Sequence, residues 1–415
     1  MYDIDKELFK EEYWNKVEER FTSKLGLSLK ELSEVKGYCT VERDTIIADI
    51  LNDNSHWGIP KKASLDKVGT NKKRIVYIFS LKERVVSGVL YQILSNYFAN
   101  RISKYCFSYK KGVSTIQAVR HLRKDDIDNT YGIKLDISSY FNSVSKERID
   151  NMLSEIFNGV EDSCISKVVR ELYNINKIKE KSIIKEEFMS LIPGTAISSF
   201  FANYCLREVD MYFESRGIAY ARYSDDIIIL GKSEEELKGY VKYIKDKLSE
   251  YGLIINENKY EYFKPHDSIE FLGLSFTDKE IDIHKKSFII LKKRIKKICK
   301  EGRKRIERGV PCEDAVRSVI KRFNYSVYKC YVEDKSKYGW AYYAFRYVNT
   351  DKTIRQIDYY LRDRLRWLYT GKNNSANIKK VPLEKLEEMG YVKMTMMYNL
   401  FKMDFDVYMD KVALL

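Results

Sequence analysis

The run Tyr220-Ala-Arg-Tyr-Ser-Asp-Asp-Ile-Ile-Ile-Leu230 constrains the fold more than any other stretch, because two adjacent carboxylates, Asp225 and Asp226, interrupt strand-like sequence. Aromatic and β-branched residues on both sides predict two buried strands joined by a tight turn. A core does not accept unpaired carboxylates, and two of them side by side repel each other. The usual relief is a divalent cation with hard oxygen ligands. An Asp-Asp dipeptide by itself is most often an ordinary turn, so support has to come from elsewhere in the chain.

It comes from Tyr131-Gly-Ile-Lys-Leu-Asp-Ile-Ser-Ser-Tyr-Phe-Asn-Ser-Val144, an apolar strand that ends in Asp136 and is followed by the aromatic pair Tyr140-Phe141. Three aspartates from two separate segments suit two Mg²⁺ ions that activate a 3′-hydroxyl and stabilise a leaving pyrophosphate. Asp fits this work better than Glu, since a short side chain on a rigid strand fixes a metal position closely.

Other blocks follow in a familiar order. Asp136 with Phe141, Pro193-Gly-Thr-Ala-Ile-Ser-Ser-Phe-Phe-Ala-Asn-Tyr-Cys-Leu206, Tyr223-Ser-Asp-Asp226, Gly252-Leu-Ile-Ile-Asn-Glu-Asn-Lys259 and Phe271-Leu-Gly-Leu-Ser-Phe276 resemble the five palm motifs of the reverse transcriptases. The bacterial branch of group II intron, retron and defence-associated enzymes is the most similar. Upstream, Lys72 to Val86 and Phe107 to Ala118 look like that family's fingers motifs, so the resemblance spans roughly residues 60 to 280.

The resemblance implies an α+β right-hand polymerase fold: fingers, a palm with an antiparallel sheet and packed helices, a helical thumb, and an α-helical C-terminal extension. The expected divisions are an N-terminal helical segment over 1–60 and fingers over 61–130. The palm follows over 131–285 with a fingers insertion near 145–190, then the thumb over 286–352 and the extension over 353–415, a candidate RNA-binding region. Leu8, Tyr13, Val17 and Phe21 recur at helical spacing in the first segment, and Lys177 to Glu187 reads as a charged surface hairpin or loop.

By the same resemblance Asp136, Asp225 and Asp226 are the catalytic metal ligands, for two Mg²⁺ ions or Mn²⁺ in their place, and Lys259 is a proton donor to pyrophosphate. Lys72 and Arg74 clamp the incoming triphosphate. Phe141 takes the steric-gate position, where a ring against the sugar rejects a 2′-hydroxyl. Gly194 lets backbone come close to the nascent base pair. Ser198 and Asn203, which fix the following helix, and Phe271, Leu272 and Gly273 of the fifth motif are assigned to primer and template handling. Pro193 stands where many relatives carry glutamine, which puts nucleotide and template positioning in question.

Charge agrees with a polyanionic partner: 74 Lys and Arg against 60 Asp and Glu give +14 over 415 residues. Twelve of these cations and two Glu lie between Lys285 and Arg308, with Leu291, Ile295, Ile298 and Ile306 near a 3.6-residue period. One face packs, and Lys292, Lys293 and Lys296 on the other suit the phosphates of a primer-template duplex. A second basic helix over 353–369 places Ile354, Ile357, Leu361, Leu365 and Leu368 on one stripe.

Seven cysteines without a Cys-x-x-Cys pair and only four histidines argue against a zinc site or a disulfide framework. Without a signal-peptide pattern at Met1-Tyr-Asp-Ile-Asp-Lys, or an apolar run of about 18 residues, the chain reads as a cytoplasmic protein with no membrane partner; that it is bacterial is what the resemblance implies. The expected partners are an RNA template, in particular a structured non-coding RNA, with a DNA primer or product and deoxynucleotides; nothing here sets an oligomeric state. The leading function is an RNA-directed DNA polymerase in antiphage defence. A maturase-like RNA-binding protein and an untemplated or protein-primed nucleotidyl transferase are the alternatives.

Overall fold

The computed structural model describes residues 1–22, 27–66, 73–123, 127–328 and 339–415. Two compact units emerge, Met1–His266 and Asp267–Leu415.

In the first unit the helices Glu11–Thr22, Leu29–Cys39 and Arg43–Leu51 precede any strand. Leu8, Tyr13, Val17 and Phe21 are buried, as their helical spacing predicts. Strands follow at Lys61–Asp66 (β1), Lys73–Ile78 (β2), Tyr131–Asp136 (β3), Lys177–Glu180 (β4), Ile183–Glu186 (β5), Tyr220–Tyr223 (β6), Asp226–Gly231 (β7) and Glu261–Phe263 (β8). One sheet has the order β2-β1-β4-β5. Its β4–β5 hairpin is the charged segment seen in the sequence, and β5 is exposed along its whole length. The region near 145–190 is only partly a surface feature. Its helices Lys146–Ile156 and Cys164–Asn174 bury Met152, Leu153, Val169 and Leu172 in the main core.

The second sheet of this unit, β6-β7-β3-β8, is antiparallel throughout and carries the acids. Its central strands are apolar because both faces are covered: Ile133, Leu135, Ile227, Ile228 and Ile229 have no more than 0% exposure. The helix Ser198–Cys205 packs on the helices Leu81–Tyr97 and Lys146–Ile156, and its Phe200, Phe201, Ala202, Tyr204 and Cys205 are all buried.

The second unit begins with a three-stranded antiparallel sheet, Ile269–Phe271 (β9), Leu274–Phe276 (β10) and Ile281–Ile283 (β11), and continues in helices. Phe271–Phe276 falls in the same unit as the helices that follow it. The helix Lys352–Thr370 packs on both Lys285–Glu307 and Cys312–Val327, because its stripe of Ile354, Ile357, Leu361, Leu365 and Leu368, at most 1% exposed, needs cover. Gly302 permits the close approach: a Cβ there would lie 2.8 Å from Val319 and 3.2 Å from Leu368. Among the described residues no helix is long and apolar enough to cross a membrane.

Candidate active site

β6 and β7 form a hairpin in which Tyr223 pairs with Asp226, leaving Ser224 and Asp225 as the two loop residues. Ser224 has φ +61°, and a positive φ at the first loop residue marks the tight hairpin class whose twist matches its strands. Asp225 therefore stands in the turn, and Asp226 is the first residue of β7. In the β3–β7 ladder Asp136 is the partner of Asp226. Backbone pairing thus brings together two acids far apart in sequence, with the third next to them.

The segment after Gly252 closes on the same place. The Asn256 amide donates to the Asp136 carbonyl (2.7 Å), and Ile137 N–H donates to the Asp225 carbonyl (3.1 Å). Lys259 Nζ pairs with Asp136 Oδ1, and Asn256 Nδ2 lies 3.4 Å from Oδ2. Asp226 stands in a different electrostatic setting: burial, then the charges of Asp225 and Asp136, push its carboxyl up to about 6, against the pull of Lys134 and Lys259. Among the described residues no three Asp, Glu, His or Cys side chains converge on one point. What is present is an in-register acid pair and its neighbour. All the donors are carboxylate oxygens, and their mutual repulsion is what a hard divalent cation relieves. A divalent cation at this place would be held by Asp136, Asp225 and Asp226.

A network that the sequence reading passed over fixes the hairpin. The Arg222 and Asp210 side chains are both 0% exposed. Arg222 donates through Nε (2.7 Å) and Nη2 (2.6 Å) to the Asp210 carboxylate, through Nη1 to the Ser224 carbonyl (3.2 Å) and through Nη2 to the Asn203 carbonyl (3.0 Å). Tyr220 Oη also donates to Asp210 (2.8 Å). An arginine inside a strand that reads as fully buried needs an acid partner, and that was the signal available.

Phe141 lies half-buried in the short helix Tyr140–Ser143, just beyond Asp136, with its ring centroid 6.3 Å from that of Tyr109. Arg74 is exposed on β2. Lys72, its expected companion, lies outside the described residues. Gly194 has φ +112°, and a Cβ there would come within 2.7 Å of the Tyr77 carbonyl. Pro193 accepts the Tyr77 amide at 2.7 Å, so the glycine seats this loop on β2.

The residues expected to handle primer and template lie in different settings. Ser198 is 2% and Asn203 3% exposed. Ser198 Oγ donates to the Thr195 carbonyl (2.7 Å), and Asn203 is bonded twice to Ser108 (2.7 and 2.8 Å). Both position the buried helix and neither presents its polar group outward. In the second unit Phe271 is a core residue, 1% exposed. Leu272 and Gly273, both at positive φ, form the β9–β10 turn and leave Gly273 exposed. Lys293 and Lys296 are exposed on the helix Lys285–Glu307, whereas Lys292 lies over the rings of Phe288 and Tyr360.

No curated protein matches the chain. Among solved structures it is similar to an apo telomerase from Candida tropicalis, truncated from the C-terminal domain, at 14% identity over 55% of this chain and 56% of that one, TM-score 0.43. It is also similar to a Candida albicans telomerase in complex with a fragment of telomeric RNA, at 12% identity over 85% and 67%, TM-score 0.43. The chain thus spans little more than half of the first of these, and likenesses of this size carry no argument here. The family described as reverse transcriptase (RNA-dependent DNA polymerase) matches residues 59–276, a stretch that holds every acid of the site. With that match over more than half its length and an α+β polymerase fold beneath it, the chain belongs to the reverse transcriptase family.

Proposed function

We propose that this chain is an RNA-directed DNA polymerase that extends a DNA primer along an RNA template. The observation that carries the reading is the pairing of Asp136 with Asp226 across β3 and β7, with Asp225 in the adjoining turn. Cations bound to these acids would activate the primer 3′-hydroxyl and neutralise charge on the departing pyrophosphate. The ladder holds the acids rigid, so little reorganisation is needed as charge moves. Arg74 binds the triphosphate by charge-assisted hydrogen bonds. Phe141, next along the chain from Asp136, excludes a 2′-hydroxyl and selects deoxynucleotides. Lys259 holds a proton at Nζ beside Asp136 and delivers it to the leaving pyrophosphate.

The basic surface around Lys293 and Lys296 suits nucleic-acid phosphates, with salt-dependent affinity. The finer placement, a bacterial enzyme that copies a partner non-coding RNA in antiphage defence, belongs to the same proposal and rests on resemblance of sequence. The test is to sequence nucleic acids that co-purify with the active protein and with an Asp225→Ala, Asp226→Ala double variant, before and during phage infection. A defined RNA in both samples with complementary DNA only in the active one supports templated synthesis. DNA without complementary RNA points to untemplated transfer, and RNA without DNA in either sample overturns the polymerase reading.

A further inference from the structure

Tyr109 adopts φ +52°, a left-handed conformation that is unfavourable for an aromatic residue. The loop around it is pinned at nearly every residue. The Phe107 amide donates to the Arg222 carbonyl (2.8 Å), Asn203 Nδ2 to the Ser108 carbonyl (2.7 Å), and Lys110 Nζ to the Ser103 carbonyl (2.9 Å). The Tyr91 hydroxyl donates to the Tyr109 carbonyl itself. Strain that the surroundings over-determine in this way points to a side chain that has to stand in one place.

That place is the junction of two parts of the site. The Tyr109 hydroxyl donates to Ser224 Oγ (3.1 Å), in the turn that carries Asp225. Its ring meets Phe141 edge to face, at 85° and 6.3 Å, and lies 6.4 Å from Tyr223. Burial, first of all, raises the phenol's pKa; the Ser224 hydrogen bond opposes that rise, the Asp225 charge adds to it and Arg74 opposes it.

We propose that Tyr109 is a positioning residue for sugar selection: its ring backs the Phe141 ring while its hydroxyl ties it to the acid-bearing turn, fixing the gate relative to the reacting atoms. The inference rests on the reading of Phe141 as the sugar gate. It assigns to a fingers residue a share of the discrimination between deoxyribose and ribose.

The test uses the full chain on a DNA primer annealed to an RNA template and compares kcat/KM for each dNTP and its matching rNTP. Tyr109→Gly is the main variant, since glycine accepts the positive φ without strain and removes the ring. Tyr109→Phe keeps the ring and removes only the tie to Ser224. Tyr109→Gly is expected to lower the dNTP to rNTP preference about five- to tenfold, the range carried by one aromatic pair contact. Tyr109→Phe should give a smaller loss of preference. In a Phe141→Ala background, Tyr109→Gly should have no further effect on the ratio.

Equal loss on dNTP and rNTP with an unchanged ratio would show a merely structural role and overturn the inference. An undiminished effect in the Phe141→Ala background would overturn it as well. If Phe141→Ala alone leaves the preference intact, the gate reading has failed. If Phe141→Ala relaxes the preference and Tyr109→Gly does not, only the role of Tyr109 has failed.

Discussion

The buried pair Arg222–Asp210 allows stability and positioning to be separated by mutation. Both side chains are 0% exposed, so Arg222→Met alone strands a carboxylate with only Tyr220 Oη bonded to it. Breaking a buried pair from one side costs about 3–5 kcal/mol, a large part of the roughly 5–15 kcal/mol that holds a domain together. Replacing both partners with apolar residues, Arg222→Met with Asp210→Leu, removes the stranded charge and is often close to neutral. The double variant is expected to recover most of the urea midpoint lost by the single one. It cannot recover the bonds from Arg222 to the Ser224 and Asn203 carbonyls. A turn left about 1 Å out of place costs on the order of a hundredfold in rate. Urea unfolding of the three proteins, together with single-turnover nucleotide addition, reads both quantities. A double variant that is as stable and as fast as wild type would refute the positioning role, and an Arg222→Met protein of undiminished stability would refute the energetic one.

Asp226 makes the site sensitive to pH. Its folded pKa of about 6 lies above the ordinary 3.8, so its stabilising contribution is complete below about 3.8 and is lost as pH rises through 6. Cation binding needs the ionised form, so Mg²⁺ affinity measured by thermal shift should weaken about tenfold per pH unit below about 6; a flat affinity from pH 5 to 8 would count against this. Gly194→Ala puts a methyl within 2.7 Å of the Tyr77 carbonyl at φ +112° and should cost more than about 2 kcal/mol in denaturant unfolding. Lys259→Met should slow single-turnover addition about a hundredfold if Nζ gives up a proton. Lys259→Arg restores the charge beside Asp136, but a guanidinium does not give up its proton, so a full rescue by arginine would assign Lys259 to ion pairing alone.

Residues that obey a strict local pattern were legible in advance. Aromatic and β-branched residues around Asp225 and Asp226 announced the hairpin, and an apolar run ending in acid announced the end of β3. The structure adds their register, because one-to-one pairing of Asp136 with Asp226 depends on how distant strands align. Long-range polar partners were opaque: Asp210 looks like any acid on a helix until Arg222 is seen to be wholly buried beside it. The same holds for Ser198 and Asn203, expected to fix the following helix, whose partners Thr195 and Ser108 only the structure names. Tyr109 was hidden for another reason, since a positive φ on a tyrosine is imposed by the surrounding fold and leaves no trace in propensity. The stripe from Ile354 to Leu368 belongs to the same packing as the preceding helices, which a charged surface does not announce.

The central claim is that Asp136, Asp225 and Asp226 act together as the metal-binding centre of an RNA-directed DNA polymerase. Its most direct test is single-turnover extension of a DNA primer on a defined RNA template with Mg²⁺, by wild type and by Asp226→Asn, each shown to be folded. Wild type should add the deoxynucleotides complementary to the RNA, and Asp226→Asn should be slower by at least about a hundredfold. Equal extension by the two proteins, or addition by wild type that ignores the template sequence, would contradict the claim.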